Sequence, residues 1–534
     1  MTNGTARGLF ALVVLAYLAV FVWFSPLPLQ DYPNHLARAF VMSDLLFRHG
    51  AEFGQSFRFH LLLTPYVSGD LLLTPLVYLT GVKATAVIWA ILTFLSLPAA
   101  VYVYLRAVRA STEVILLMLF ISLYLSTDTF FAMGFFEFKL SIALTLVALA
   151  VVELLRQQWS GVRFGMYAAL IVLTYLTHLA AIAFIAAVIG VSALWRVILG
   201  KSRIDREIYL FIPIIGVLAW HVVEALTYRQ SGDLVALANS WGTVEKKIAN
   251  VSWDFVRYQP TRDFIVMDTL LAFLLLYLIS RRLWGREGIA TLTVLEPLAY
   301  AVLFIGLYIV LPDEQTEAGY IDVRAMALAP FFLVLGLLNL PPSAEPWAAR
   351  LKAPAIWLAA AVACVNLGYL ALYFHKQSDW LPQYRSIVAR IPANSTVLPI
   401  FTQRKTGNVL MQLHAASYAV IDRHALIPYL FSGDNGAPMK YFRYVHRPAA
   451  PLEFWYRSGW DSTVDWPQVS RDYQYLLITK PFDADRIRIK TRTVAENNAA
   501  ALLAVEPSVP LSLSKRPISG ILATLGTTGS RHQF

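Results

Sequence analysis

About eleven times along this chain the sequence stays apolar for nearly the thickness of a bilayer, and no other property narrows its folds so far. A membrane-crossing helix needs about 20 apolar residues. Within lipid, only segments that satisfy their own backbone hydrogen bonds are stable. The runs cover 8–25, 84–105, 112–127, 137–155, 163–177, 179–199, 207–226, 263–280, 289–311, 324–340 and 354–374. Only 15% of the 534 residues are charged, against roughly 25% in soluble domains. The first run follows a single arginine, Arg7, and no small-x-small cleavage pattern comes after it. It therefore reads as an uncleaved first helix. The stretch DLLLTPLVYLTG (70–81) is too short to cross and is expected to lie along the interface.

Charge orders these runs. The formal net charge of +10 is read as inside-positive loops, not as a nucleic-acid partner. With the N-terminus in the cytoplasm, one set of loops carries Arg106, Arg109, Arg156, Arg163, Arg196, Lys201, Arg206, Arg281, Arg282 and Arg350. The opposite loops carry Asp31, Asp44, Asp128, Asp313, Glu314, Glu317 and Asp322. Counting 70–81 as a span would invert everything after it and put the arginines outside. An odd number of spans then leaves residues 375–534 on the outer face, after a membrane domain of 1–374 with a long first outer loop, 26–83. The C-terminal part is richer in Pro, Tyr, Asp and Arg. It has β-like segments at 395–401, 417–422 and 473–479, as in a small α/β domain, and a tail, LATLGTTGSRHQF, expected to be mobile. The lone cysteine, Cys364, rules out a disulfide within the chain.

On this threading, ionisable residues from distant loops gather at the outer face, where such groups are costly and usually functional. The first loop opens with LQDYPNHLARAF, supplying Asp31, His35 and Arg38, and ends near Lys83. The second reads STDTFFAMGFFEFKLS, with Asp128 and Glu137. The tight turn YLTHLAA places His178 at the same face, and YIDVRAMALAP places Arg324 at the mouth of a helix with no further charge. Bland readings stand beside these. Asp31, with Pro33 behind it, could simply cap a helix. His35 lies four residues on, within hydrogen-bonding reach of Asp31 on one helix face. His178 could be a satisfied histidine in a turn. Glu137 and Lys139 are two apart and point to different sides of a helix, so they are not a pair. An outer arginine at a helix mouth, by contrast, suits a phosphate headgroup.

The order and sidedness of LQDYPNHLAR, STDTFFAMGFFEF and YIDVRAMALAPFFLVLG resemble the GT-C glycosyltransferases, the class of protein O-mannosyltransferases, lipid A aminoarabinose transferases and oligosaccharyltransferases. The resemblance covers the layout of residues 8–374. It implies a polytopic α-helical membrane protein in a bacterial inner membrane, with an extracytoplasmic α/β domain. It further implies an inverting transfer of a sugar from a polyprenyl-phosphate donor to a lipid, glycan or protein acceptor. In that scheme Asp31 is the general base, and Asp128, or else Glu137, positions the acceptor or helps to bind a cation. Arg324 and Lys83 hold the phosphate, with His178 as a third contact. His35 and Arg38 support the helix or line the pocket. Relatives carry an Asp-Glu or Asp-x-Asp pair in the first loop, whereas Tyr32 follows Asp31 here. No metal site is therefore implied there, and a divalent cation stays an open alternative. A polysaccharide polymerase or ligase, or a lipid or glycan flippase, would suit the same spans. The polymerase would want a late outer loop rich in Arg and His, and the flippase two related halves; the sequence has neither.

Overall fold

A computed structural model of the chain describes residues 3–201, 204–227, 239–245, 247, 270, 272, 274–276, 295–315, 318–339, 352–401, 409, 412–433, 441–448 and 464–506. The first two-thirds are helical: α1 (Asn3–Trp23), α2 (Tyr32–Phe47), α3 (Val67–Ala107), α4 (Thr112–Ser126), α5 (Thr129–Met133), α6 (Phe136–Gln157), α7 (Gly161–Thr177), α8 (Leu179–Ile198), α9 (Ile204–Tyr209) and α10 (Ile212–Thr227). After these come α11 (Glu296–Val310), α12 (Ile321–Met326), α13 (Ala329–Asn339) and α14 (Lys352–Gln377). Among the described residues, eight helical segments are long and apolar enough to cross a membrane. Leu12, Leu15, Leu194, Ile198, Val222, Leu226 and Leu372 stand exposed along them, the arrangement of an integral membrane protein whose outer surface meets acyl chains. The span expected at 263–280 and the tail from Leu522 lie outside the described residues, apart from a few positions near 274.

Helix α3 is two helices joined at a kink, and residues 70–80 belong to the first of them, distinct from the span that follows, as the sequence suggests. A continuous helix of 41 residues would be about 60 Å long, twice the hydrocarbon thickness. Gly81 breaks it, with φ +78° and ψ 163°, a conformation open to glycine at little cost. The first part is packed, not merely laid on lipid: Gly69, Asp70, Leu73, Thr74 and Val77 are buried.

A small mixed sheet forms the core of the C-terminal part. Its order is β5 (Val397–Ile400), β7 (Tyr475–Thr479), β9 (Ala500–Val505), β8 (Thr491–Glu496), with β5 and β7 parallel and the other pairs antiparallel. Alternation puts Leu398, Ile400, Leu476 and Ile478 on one face, with Trp466 and Val469. The other face carries Val397, Leu477 and Leu502, against α15 (Trp380–Val388) and α16 (Ser417–Arg423). Segments 395–401 and 473–479 are strands as expected, but 417–422 is the helix α16. Four consecutive buried residues, Ser417 to Val420, let tertiary packing override the β-branched composition.

Helix α2 joins the two parts. Tyr32, Leu36 and Ala39 enter the core of the membrane helices, while Ala37, Val41 and Met42 enter the core beneath the sheet. The first loop also supplies β1 (Phe57–Phe59), which pairs antiparallel with β6 (Phe442–Tyr444). Deeper in the membrane part, Asn366 donates 2.7 Å hydrogen bonds to Tyr17 Oη and Thr127 Oγ1, and Tyr17 donates to the Ala363 carbonyl. These bonds tie α14 to α1 and to the end of α4. Interhelical hydrogen bonds in lipid are worth about 0.6 to 2 kcal/mol, so Asn366→Leu should lower stability by about that amount in a thermal or denaturant melt of the purified protein.

Candidate active site

Asp31 occupies the N-cap position of α2, but its side chain makes no capping hydrogen bond. The carboxylate is therefore left for other partners. Gln30 Nε2 donates to Oδ1 at 3.2 Å, and His414 Nε2 lies 3.4 Å from the same oxygen. The backbone at this point is fixed: the Asp31 and Gln30 N–H groups donate to the Met133 and Ala132 carbonyls at 2.9 and 3.3 Å. Those carbonyls end α5, where they have no intrahelical partner. Gly134 closes α5 with φ +77°, and a Cβ there would lie 2.8 Å from the Tyr32 nitrogen, so glycine alone fits. Burial pushes the Asp31 carboxyl up from its usual 3.8 to about 7. His35, the Gln30 hydrogen bond and Arg324 oppose that shift, and Glu137 adds to it.

One turn along α2, Arg38 is fully buried and grips Asp70 of α3 with two hydrogen bonds, 2.6 Å from Nε and 2.8 Å from Nη2. Tyr441 donates to the same Asp70 carboxylate at 2.6 Å. His35 Nδ1 lies 3.1 Å from both Glu137 Oε1 and Arg38 Nη2. Gly69 makes room for Glu137, since a Cβ there would sit 2.6 Å from Oε1. Two carboxylates, one guanidinium and one imidazole are thus interlocked beneath Asp31.

Arg324 reaches the cluster from α12. Its guanidinium lies over the rings of Phe135 and Phe138 at 5.5 and 5.7 Å. It is close enough for its charge to act on Asp31 and Tyr66. Lys247 steadies this helix by an ion pair to Asp322 at 3.1 Å and by donating to the Tyr308 and Leu311 carbonyls that end α11. His178 Nε2 faces Arg324 Nη1 at 3.3 Å, while its Nδ1 accepts the Ala180 N–H. The ring is buried, and desolvation together with Arg324 holds its pKa well below the usual histidine range. A neutral ring can accept at only one of its two nitrogens, and both face N–H donors here; among the described residues Arg324 Nε is buried with no hydrogen-bond partner.

Asp31, His35, Arg38, Glu137, His178 and Arg324 are thus brought together from four separate stretches of chain. Asp128 and Lys83 take other positions. Asp128 is spent on structure: Oδ1 caps α5 through the Phe131 N–H, and Oδ2 pairs with Lys139 at 2.5 Å. Its influence on Asp31 passes through α5. Lys83 is exposed on α3, just beyond the Gly81 break. As the sequence spacing required, Glu137 and Lys139 turn to different partners. Asn34, Asp70 and Tyr441 complete the cluster without being read from sequence as site residues, as does His414, which by sequence reads as a structural residue of the outer domain. Asp70 had a signal, the single charge in an apolar helical stretch. His414 and Tyr441 had none, because their partners lie 380 and 371 residues away. Among the described residues no three His, Cys, Asp or Glu side chains are grouped to hold a metal ion.

The structure is thus a bundle of apolar helices with a polar cluster at one end, under a small α/β layer. Among solved structures the chain is similar to ArnT from Cupriavidus metallidurans in the apo state, with a TM-score of 0.52 and 11% identity over 94% of this chain and 98% of that one. The likeness is one of fold. No family model and no curated protein matches the sequence significantly.

Removing one partner of a buried ion pair costs about 3–5 kcal/mol, whereas replacing both with apolar groups costs far less. Arg38→Met alone should therefore lower folding stability by about that amount. The double variant Arg38→Met/Asp70→Leu should recover part of the loss, read as a positive coupling in a double-mutant cycle.

Proposed function

We propose that this protein is an inverting glycosyltransferase of the membrane. It would take a sugar from a polyprenyl-phosphate donor and pass it to a hydroxyl-bearing lipid, glycan or protein acceptor. The observation that carries the reading is the opposition of two groups across one buried site. On one side stands a carboxyl whose pKa is near neutrality; on the other, the Arg324 guanidinium stands beside the His178 imidazole and keeps a buried Nε with no hydrogen-bond partner among the described residues. The first suits a general base, which works best when its pKa lies near the working pH. The second suits a phosphate oxygen that gathers negative charge.

In the reaction, an acceptor hydroxyl oxygen bonds to the anomeric carbon as its proton passes to Asp31. The bond from that carbon to the phosphate oxygen breaks, and its electron pair leaves with the phosphate facing Arg324 and His178. Attack opposite the leaving group inverts the anomeric centre. Arg38 and Glu137 touch neither reactant; they hold His35 and the wall beneath Asp31. Asp128 positions α5, and the scheme assigns no step to Lys83 or to a divalent cation. The inside-positive loops support a site on the outer face of what we take to be a bacterial inner membrane.

The test is the lipid and surface-glycan profile of a strain lacking the protein, complemented by variants. Loss of one sugar, restored by wild type but not by Asp31→Asn or Asp31→Ala, supports the reading; product restored by both variants would falsify it. Build-up of a lipid-linked intermediate with all sugars retained would point to transport instead. Arg324→Met should reduce turnover by about 10²–10³.

The Asp31 shift also makes a stability prediction. Its pKa is about 7 folded and near 3.8 unfolded, so the folded state binds more protons between those values. Stability drawn from this group therefore falls as pH rises from about 4 to 7. Asp31→Asn, which cannot ionise, should melt higher than wild type at pH 7.5 while being inactive, and the gap should close below pH 4.

A further inference from the structure

Asn34 follows Asp31 by three residues, and both ends of its amide are fixed by backbone groups. Its Oδ1 accepts the Phe431 N–H at 2.9 Å, and its Nδ2 donates to the Tyr429 carbonyl at 2.8 Å. A backbone N–H can only donate and a carbonyl can only accept, so this amide cannot be flipped. The remaining Nδ2 hydrogen meets His414 Nδ1 at 3.1 Å. Nδ1 must then be the acceptor, and a neutral ring carries its proton on Nε2, the atom 3.4 Å from Asp31 Oδ1. His414 is buried, and Phe431 sits edge-on against it with ring centres 4.8 Å apart. Burial and the charge of His35 hold its pKa down at about 3, which keeps the ring neutral.

We infer that His414, carried by the outer α/β region, is the positioning residue for Asp31. Its Nε2–H orients the carboxylate toward the acceptor, and Asn34 sets its tautomer. The inference rests on Asp31 being the base. Docking of the outer region is then part of assembling that base. The contact is at the long end for a hydrogen bond, as such bonds often are before substrate binds.

The experiment is an infrared titration of the purified, full-length protein in detergent. Subtracting the Asp31→Asn spectrum isolates the Asp31 carboxyl band. A glutamine side chain places its amide nitrogen where Nε2 stood, whereas asparagine reaches only the position of Nδ1. His414→Asn and His414→Ala remove a donor from the carboxylate. They should raise the Asp31 midpoint by about one pH unit, the worth of one hydrogen bond, while His414→Gln leaves it near wild type. His35, Glu137 and Arg324 also act on this carboxyl and are unchanged in all three variants. A merely structural histidine would not separate glutamine from asparagine. An unchanged midpoint in both the asparagine and alanine variants overturns the inference, as does a downward shift caused by water entering the space. If the Asp31→Asn strain makes normal glycan, the assignment of the base fails instead, whatever the His414 variants do.

Discussion

The arrangement depends on the buried pair between Arg38 and Asp70. Both side chains are fully buried, and the pair joins α2 to the first part of α3. Helix α2 follows a turn and has no membrane of its own to cross, and the first part of α3 is cut from its continuation by Gly81. Two charges cannot leave water singly, but a bidentate guanidinium–carboxylate pair with a third donor from Tyr441 can. Once formed, the pair fixes α2 against α3 and sets His35 beside Glu137 of α6. It also places Asp31 at the end of a helix that can no longer rotate.

The same constraint explains why membrane part and outer part act as one body at this point. Tyr441 donates to Asp70, Asn34 takes backbone partners from Tyr429 and Phe431, and β1 pairs with β6. Each contact crosses from the first outer loop to the C-terminal region. A second polar cluster at the other end of the bundle works differently. There Arg156 and Arg196 bridge Glu153, Glu207 and Glu296 across α6, α8, α9 and α11. Its carboxylates are taken up by arginines, a serine and a tyrosine, so it reads as a clamp. The two ends thus differ in what their acids face: complete pairing at one, an under-paired Asp31 at the other.

Much of this was legible in the sequence, and the reason is physical. Spans follow from apolar length, and sidedness from arginine distribution, both local properties that survive without tertiary knowledge. Hence Asp31, His35, Arg38, Glu137, His178 and Arg324 could be assembled on one face from loop positions alone. For Asp128 the sequence is ambiguous, because a carboxylate before an apolar run looks alike whether it caps a helix or faces a substrate; STDTFF has the cap pattern, and in the structure Asp128 caps α5. Residues 417–422 looked like a strand because valine, isoleucine and tyrosine favour one, and packing on α2 overruled them. His414, Asn34 and Tyr441 could not be found, since nothing near them in the chain records partners hundreds of residues away.

That division locates where stability gives way to function. Asp31 is held at every point except its charge. Its backbone is bound by α5, its helix by Arg38 and its neighbours by the outer region, while among the described residues its carboxylate oxygens have Gln30 and the His414 imidazole at 3.4 Å. A buried carboxylate with so few donors is destabilising once ionised, and Arg324 is near but not bonded to it. A fold selected for stability alone would have given Asp31 the partner that Asp70 has. The Arg324 guanidinium, whose charge acts on Asp31, instead faces His178 and keeps a buried Nε with no hydrogen-bond partner among the described residues. Both costs disappear together when an acceptor hydroxyl meets Asp31 and a donor phosphate meets Arg324.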